Sequence, residues 1–307
     1  MSFLDNLENN LKALESRDEK GADRSDRQQR DAERAQTIAA APWAEKLKQS
    51  PFTQELLGHV TRLGHQMRAK VYITWLGQTA FHLESARGKS IYLDPWLQNS
   101  DCPESERSPA AVDLIVLTHG HFDHVGQTMD LWQRFRPAVV ASQDLRHWLE
   151  RQGLERNDGL GPDKGGTITV AGIKISLTDA RHSGGAPDGG YGGAACGCVI
   201  ELENGLKLYF AGDTCVFGDM QLIGRMYRPD IAVLPIGGHF TMDPQGAAIA
   251  LELLGTKRCI PCHYRAGAQP PPPRAVLPGH PDELRALVPP DIELMVPRPG
   301  ERLPLAR

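Results

Sequence analysis

Within six consecutive positions, His119-Gly120-His121-Phe122-Asp123-His124, the chain places three imidazoles and a carboxylate. They follow directly on an apolar, β-branched run, Val112-Asp113-Leu114-Ile115-Val116-Leu117, ending in Thr118. Such a run reads as a buried strand. The turn after it sends His119 and His121 to one side and carries Asp123 and His124 round it, so two ligand sets can form a few residues apart. That arrangement suits two neighbouring metal ions, and it constrains the fold: other strand ends must deliver the missing ligands to the same place.

Candidates for those ligands are present. His182 follows Ile175-Ser176-Leu177-Thr178-Asp179-Ala180-Arg181, Asp213 follows Leu208-Tyr209-Phe210-Ala211-Gly212, and His263 follows Cys259-Ile260-Pro261-Cys262. Each stands immediately after an apolar, strand-like run. When such strands lie side by side, the loops after them meet at one sheet edge, where a rigid apolar scaffold supports a polar site.

The chain divides into two textures. Residues 1–69 are charged and helical in spacing: Phe3, Leu4, Leu7, Leu11 and Leu14 recur at three- and four-residue steps, and Leu47, Phe52, Leu56, Leu57, Val60 and Leu63 mark another helix. Between them, residues 17–34 mix acids and bases with almost no apolar residue, the pattern of a solvated helix or linker. This extension offers either a homo-oligomer contact or a cap over the site. Residues 70–307 form the second domain, with short apolar runs broken by Gly, Asp and Pro. Strands are expected at 71–76, 80–84, 90–94, 167–178, 198–203, 206–210 and 231–234, helices after Val125, at 143–151 and at 281–288, and a final strand at 292–296. Gln269-Pro270-Pro271-Pro272-Pro273 cannot enter a sheet and reads as an extended surface loop.

Composition narrows the partners. The 307 residues carry a formal net charge of −4, so there is no broad basic field for a nucleic-acid backbone, and a small-molecule substrate is expected. No run is apolar and long enough to span a bilayer, and the N-terminus lacks the basic-then-apolar layout of a secretory signal, so the expected location is cytoplasmic. The six cysteines are expected to be reduced, with Cys259 and Cys262 as small residues at a buried strand end.

Taken together, His119-x-His121-x-Asp123-His124 and the later His182, Asp213 and His263 resemble the ligand series of the metallo-β-lactamase-fold hydrolases. Trp75-Leu76-Gly77, Leu93-Asp94-Pro95, Ala211-Gly212-Asp213-Thr214, residues 234–242 and Ile260-Pro261-Cys262-His263-Tyr264 resemble the branch of metal-dependent hydrolases related to ascorbate-6-phosphate lactonase. The chain is more distantly similar to the phospholipase D that cleaves N-acyl phosphatidylethanolamine. The resemblance runs from about Val71 to the C-terminus. It implies an α/β (α+β) fold, a four-layer αββα sandwich, behind the helical extension. One metal would be held by His119, His121 and His182, the other by Asp123, His124 and His263, with Asp213 bridging.

Nitrogen and carboxylate ligands without thiolate suit zinc first, then manganese or iron. Two such ions would bring a bridging water towards hydroxide at neutral pH and polarise the substrate's oxygen, for cleavage of an ester, lactone or phosphodiester bond. Asp94, at a strand end before a proline, would brace the histidine loop by hydrogen bonds. Asp123 and His239 are the candidate catalytic residues, His239 as a proton donor to the leaving group. Arg181, Tyr191 and Tyr264 are candidate substrate contacts, and the glycines around His182 suit either a covering loop or tight turns. Gln78 stands where relatives of the Trp-Leu-Gly-His pattern have a histidine. Two alternatives compete: a nuclease of the same fold, and a partner-binding protein that keeps metal only for stability.

Overall fold

The computed structural model describes Ser50 and residues 70–266 and 277–306. The expected helical extension, its boundary at residue 69, its part in self-association and the proline tract all lie outside the described residues.

Thirteen strands form among the described residues, and they assemble into two sheets. The first contains β1 (Val71–Trp75), β2 (Phe81–Glu84), β3 (Ser90–Leu93), β4 (Leu114–Val116) and β5 (Ala138–Val140). The second contains β6 (Thr167–Val170), β7 (Ile173–Asp179), β8 (Cys196–Glu201), β9 (Lys207–Phe210), β10 (Ile231–Pro235), β11 (Arg258–Cys262) and β12 (Glu293–Leu294), while β13 (Arg302–Leu305) returns to the first sheet. The spatial orders are β13-β1-β2-β3-β4-β5 and β12-β11-β10-β9-β8-β7-β6. Described helices are α1 (Phe122–Val125), α2 (Thr128–Phe135), α3 (Gln143–Arg151), α4 (Met220–Tyr227), α5 (Pro244–Leu254) and α6 (Pro281–Leu287).

Side-chain alternation in β4 explains the layering. Leu114 and Val116 enter the core between the sheets, while Ile115 and the following Leu117 pack with Leu131 of α2 and Leu145 and Leu149 of α3. Both faces of this strand are therefore covered, as its unbroken apolar run demands. Met220 and Ile223 of α4, Ala247, Ala250 and Leu251 of α5 and Leu284 of α6 join the core on the other sheet. The result is the four-layer αββα sandwich.

Two expectations are revised. Residues 167–178 are a hairpin rather than one strand, because Ala171 and Gly172 both take positive φ (52° and 83°) and turn the chain between β6 and β7. The run at 292–296 yields only the two-residue β12, and the last strand is β13, which pairs antiparallel with β1. Alternating polar and apolar residues in Arg302-Leu303-Pro304-Leu305 suit an edge strand, and Pro304 is tolerated there.

Strand direction fixes where the site forms. Strand β7 is antiparallel to β8 and β8 antiparallel to β9, while β9, β10 and β11 are mutually parallel. Strands β7, β9 and β11 therefore run the same way, and the loops after them leave from one edge.

Candidate metal centre

Those loops carry His182, Asp213 and His263, and the turn after β4 carries His119, His121, Asp123 and His124. In three groups, His119/His121/His182, His119/His124/Asp213 and Asp123/His124/His263, the ligand-type atoms all lie within 4.8 Å of one another. The seven residues expected as ligands all fall within these three groups.

The distances define the centre. His119 Nε2 and His121 Nδ1 are 2.9 Å apart, and His182 Nε2 is 3.3 Å from the same His121 nitrogen. Asp213 Oδ2 has three imidazole Nε2 atoms around it, from His263 at 3.1 Å, His124 at 3.4 Å and His182 at 3.6 Å. Its other oxygen, Oδ1, is buried without a hydrogen-bond partner, and so is His263 Nδ1. Orphaned polar atoms in a dry site are costly, and converging nitrogen and carboxylate donors fit a divalent cation.

The electrostatics suit ligand duty at three of the histidines, while His124 is held by its two carboxylate neighbours. Burial, with the nearby His124 charge, holds His119 well below the usual imidazole range, and burial similarly lowers His121 and His182. Neutral imidazoles offer lone pairs. For His124, burial opposes the charge, but Asp213 and Asp94 outweigh it and raise its pKa well above the ordinary value. Burial would likewise raise Asp213, yet His124 and His263 hold it well below the carboxylate range.

Asp94 is buried at the end of β3 with φ of +44°. Its Oδ1 accepts the Thr118 N–H at 2.8 Å, and its Oδ2 accepts the Thr118 hydroxyl at 2.6 Å and His124 Nδ1 at 2.7 Å. Because the Nδ1 proton is committed to Asp94, His124 presents Nε2 to the centre. Gly212, at φ of +62°, lets Asp213 turn inward while its backbone packs on Thr118; a Cβ there would sit 2.8 Å from the threonine side chain.

A cleft of about 470 Å³ opens over this centre, lined by His121, Asp123, His182, Asp213 and His263 together with Gln78, Ser183, Trp96, Phe122, Phe240 and Leu277. The aromatic wall was not assigned from sequence. Phe122 lies inside the histidine motif and Trp96 directly after Asp94-Pro95, so an aromatic side chain beside each ligand turn was the available signal. Phe122 is 62 % exposed and Phe240 55 %, and the Trp96 and Phe122 rings meet edge to face at 5.5 Å.

Four other expected residues lie elsewhere. His239 is exposed, its ring against Phe240, and is not among the lining residues. Arg181 is exposed and ion-paired with Asp179 at 3.0 Å. Tyr191 is exposed, and bridges to Gly185 within its own loop. Tyr264 is buried and stacks on Trp75 at 4.8 Å, so it is a packing residue rather than a substrate contact.

The glycines around His182 serve close packing. Gly192 N–H donates to the Gly184 carbonyl at 3.0 Å, and Trp148 Nε1 donates to Asp188 at 3.0 Å, tying the loop to α3. A Cβ on Gly184 would collide with the Gly193 carbonyl oxygen. The six cysteines are free and all but Cys215 are buried. Burial pushes the Cys196 thiol up to about 12 and also raises Cys259 and Cys262, so none of these is a ready thiolate. No helix among the described residues is long and apolar enough to cross a membrane.

Fold and centre together define a metal-dependent hydrolase of the metallo-β-lactamase fold. A family model described as the Beta-lactamase superfamily domain matches residues 89–264. A UPF0173 metal-dependent hydrolase of Koribacter versatilis is 43 % identical over 220 residues, covering 70 % of this chain and 91 % of the relative. Another, from Rubrobacter xylanophilus, is 39 % identical over 246 residues, covering 78 % and 98 %. Among solved structures, Igni18, a metallo hydrolase from the archaeon Ignicoccus hospitalis, is similar with a TM-score of 0.65 and 30 % identity, covering 78 % of this chain and 99 % of that one. The chain belongs to the beta-lactamase superfamily and, within it, to the UPF0173 metal-dependent hydrolases.

Proposed function

We propose that the cleft holds two divalent metal ions and hydrolyses an ester, lactone or phosphodiester bond of a small substrate. The observation that carries this is the position of Asp213 Oδ2, with His182 of one ligand set and His124 and His263 of the other all within 3.6 Å of it. A carboxylate so placed would serve both ions. His119, His121 and His182 would hold the first and Asp123, His124 and His263 the second. Zinc suits the donors best, with manganese or iron as alternatives. When bound, such a pair lowers the pKa of water towards neutrality and polarises a substrate oxygen.

The chain's own residues do the rest. Asp94 fixes the ring of His124 through Nδ1, which keeps Nε2 free for its role. Asp123 lines the cleft, and its carboxylate oxygen not engaged as a ligand would carry a proton between the reacting water and the leaving group. We assign that step to Asp123 rather than to His239, which lies off the cleft wall. Trp96, Phe122 and Phe240 grip an apolar part of the substrate and exclude water from the bond being broken. The modest volume and the acidic net charge favour a small molecule over a nucleic acid.

The test is turnover of phenyl esters, lactones and bis(p-nitrophenyl) phosphate by protein stripped with chelator and reloaded with zinc, manganese or iron. At least one substrate class is hydrolysed, activity follows metal, and Asp213→Ala is inert under every loading. Turnover that survives chelation, or that Asp213→Ala retains, would contradict the proposal.

A further inference from the structure

Beside the metal cleft lies a second cavity of about 200 Å³, and Gln78, Trp96 and Leu277 line both. Its other walls include Asn99, Asp101 and Arg265. Asn99 is fully occupied: Nδ2 donates to the Leu76 and Trp96 carbonyls at 2.9 and 2.6 Å, and Oδ1 accepts the Asp101 and Cys102 N–H groups, both at 2.9 Å. It builds the wall and has nothing left for a ligand.

Gln78 differs. Its main chain is locked, with φ of +50° and a carbonyl that accepts both Trp75 Nε1 and the His263 N–H at 2.9 Å. Its position relative to His263 is therefore set. Yet Oε1 of its side chain is buried with no hydrogen-bond partner, an arrangement that a donor from a ligand would repair. Arg265, two residues after His263, is exposed and pairs with no carboxylate among the described residues. Asp101 faces the same cavity, its Oδ2 at 3.5 Å from the Ala266 N–H. That carboxylate disfavours a doubly charged guest, while a single negative charge is met by the guanidinium, whose fork fits a carboxylate.

We propose that this cavity is a subsite for a singly charged carboxylate bearing a neighbouring N–H, with Arg265 taking the charge and Gln78 Oε1 accepting the N–H. The inference rests on the hydrolase reading for its place in catalysis. It makes the substrate a hydrolysable compound with an apolar part on the aromatic wall and an amido-carboxylate beyond Gln78.

Three probes separate the parts: N-acetylglycine, N-acetylglycinamide without the charge, and N-acetylsarcosine without the N–H. Binding is measured by calorimetry on metal-loaded protein. The wild type should prefer N-acetylglycine over the amide by about tenfold to a hundredfold and over the sarcosine analogue by about fivefold. Arg265→Met should erase the first preference and Gln78→Met the second, with metal content unchanged in both. An acid preference that survives Arg265→Met, or no binding of N-acetylglycine at millimolar concentration, overturns the subsite. Inorganic phosphate, tested alongside on wild type and Arg265→Met, should keep its affinity in the variant, and a loss of phosphate affinity larger than that of N-acetylglycine overturns the carboxylate assignment. Phenyl acetate turnover on the same samples keeps the two claims apart: turnover without probe preference sinks the subsite alone, whereas probe preference without turnover of any ester, lactone or phosphodiester sinks the hydrolase reading alone.

Discussion

In the floor beneath the cleft, His119, His124, Asp213 and His263 are each at most 2 % exposed and are held by strand ends and by Asp94, whereas at its mouth Phe122, the first residue of α1, and Phe240 are more than half exposed. The floor is built of nitrogen and oxygen donors whose number and spacing the chemistry dictates. The mouth is built of apolar surface that many side chains of similar size would supply. Substitutions in the floor should therefore act on catalysis as a whole, and those in the mouth on the choice and affinity of substrate. Exposed aromatic surface over a polar, buried floor is the usual division of labour in a small-molecule site.

The largest effect should come from Asp213→Ala, which removes the carboxylate shared by both ligand sets. It abolishes turnover while circular dichroism shows the fold retained; a variant with wild-type rates would break the distinction at its centre. Next comes Asp94→Asn, which keeps the shape but leaves Thr118 and His124 without a charged acceptor. Metal affinity, measured by chelator competition, should fall roughly 10- to 100-fold. Unchanged affinity would mean that the histidine turn holds itself.

Phe240→Ala sharpens the comparison from the other side. Loss of one aromatic contact at the mouth should raise KM by up to about tenfold, with kcat and metal content unaltered. A fall in kcat with KM constant would place Phe240 in the chemistry. The smallest effect lies outside the cleft, where Arg302 of β13 pairs with Glu84 of β2 at 2.5 Å. The hydrogen bond from Arg302 lowers the Glu84 pKa below 4.5, so the pair's contribution is present above pH 4.5 and is lost as pH falls through the depressed value. Unfolding free energies of wild type and Glu84→Gln, from denaturant titrations, should differ by about 0.2–1 kcal/mol at neutral pH and converge in acid, with no change in turnover at any pH where both are folded.

The same contrast governs what the sequence made legible. Every expected ligand came together because imidazole and carboxylate groups after apolar strands have few other reasons to be there, and β4, β7, β9 and β11 deliver them to one edge. The short apolar segments pointed to a domain that mixes strands and helices, and the two-sheet sandwich followed from the resemblance of the ligand series to a known family. Harder to read were β13, whose partner β1 lies some 230 residues away in sequence, and the Ala171-Gly172 turn inside a continuous strand-like pattern. Tyr264 was hard to place because its neighbour His263 is a candidate ligand: β11 ends at Cys262, the φ of +53° at His263 turns the chain, and the tyrosine packs into the core against Trp75. His239 was drawn in by its flanking glycines and by its place in residues 234–242, a stretch that resembles related hydrolases. The aromatic mouth and the unpartnered Gln78 amide depend on which loops meet, which no local pattern reports.

Two metal ions in the floor, with Asp213 between them, are what we propose. The decisive measurement is elemental analysis of purified, metal-reloaded protein, run beside His121→Ala. Close to two ions per chain are expected in the wild type and fewer in the variant. Near zero in both after reloading with zinc, manganese or iron, or equal content in both, would contradict it.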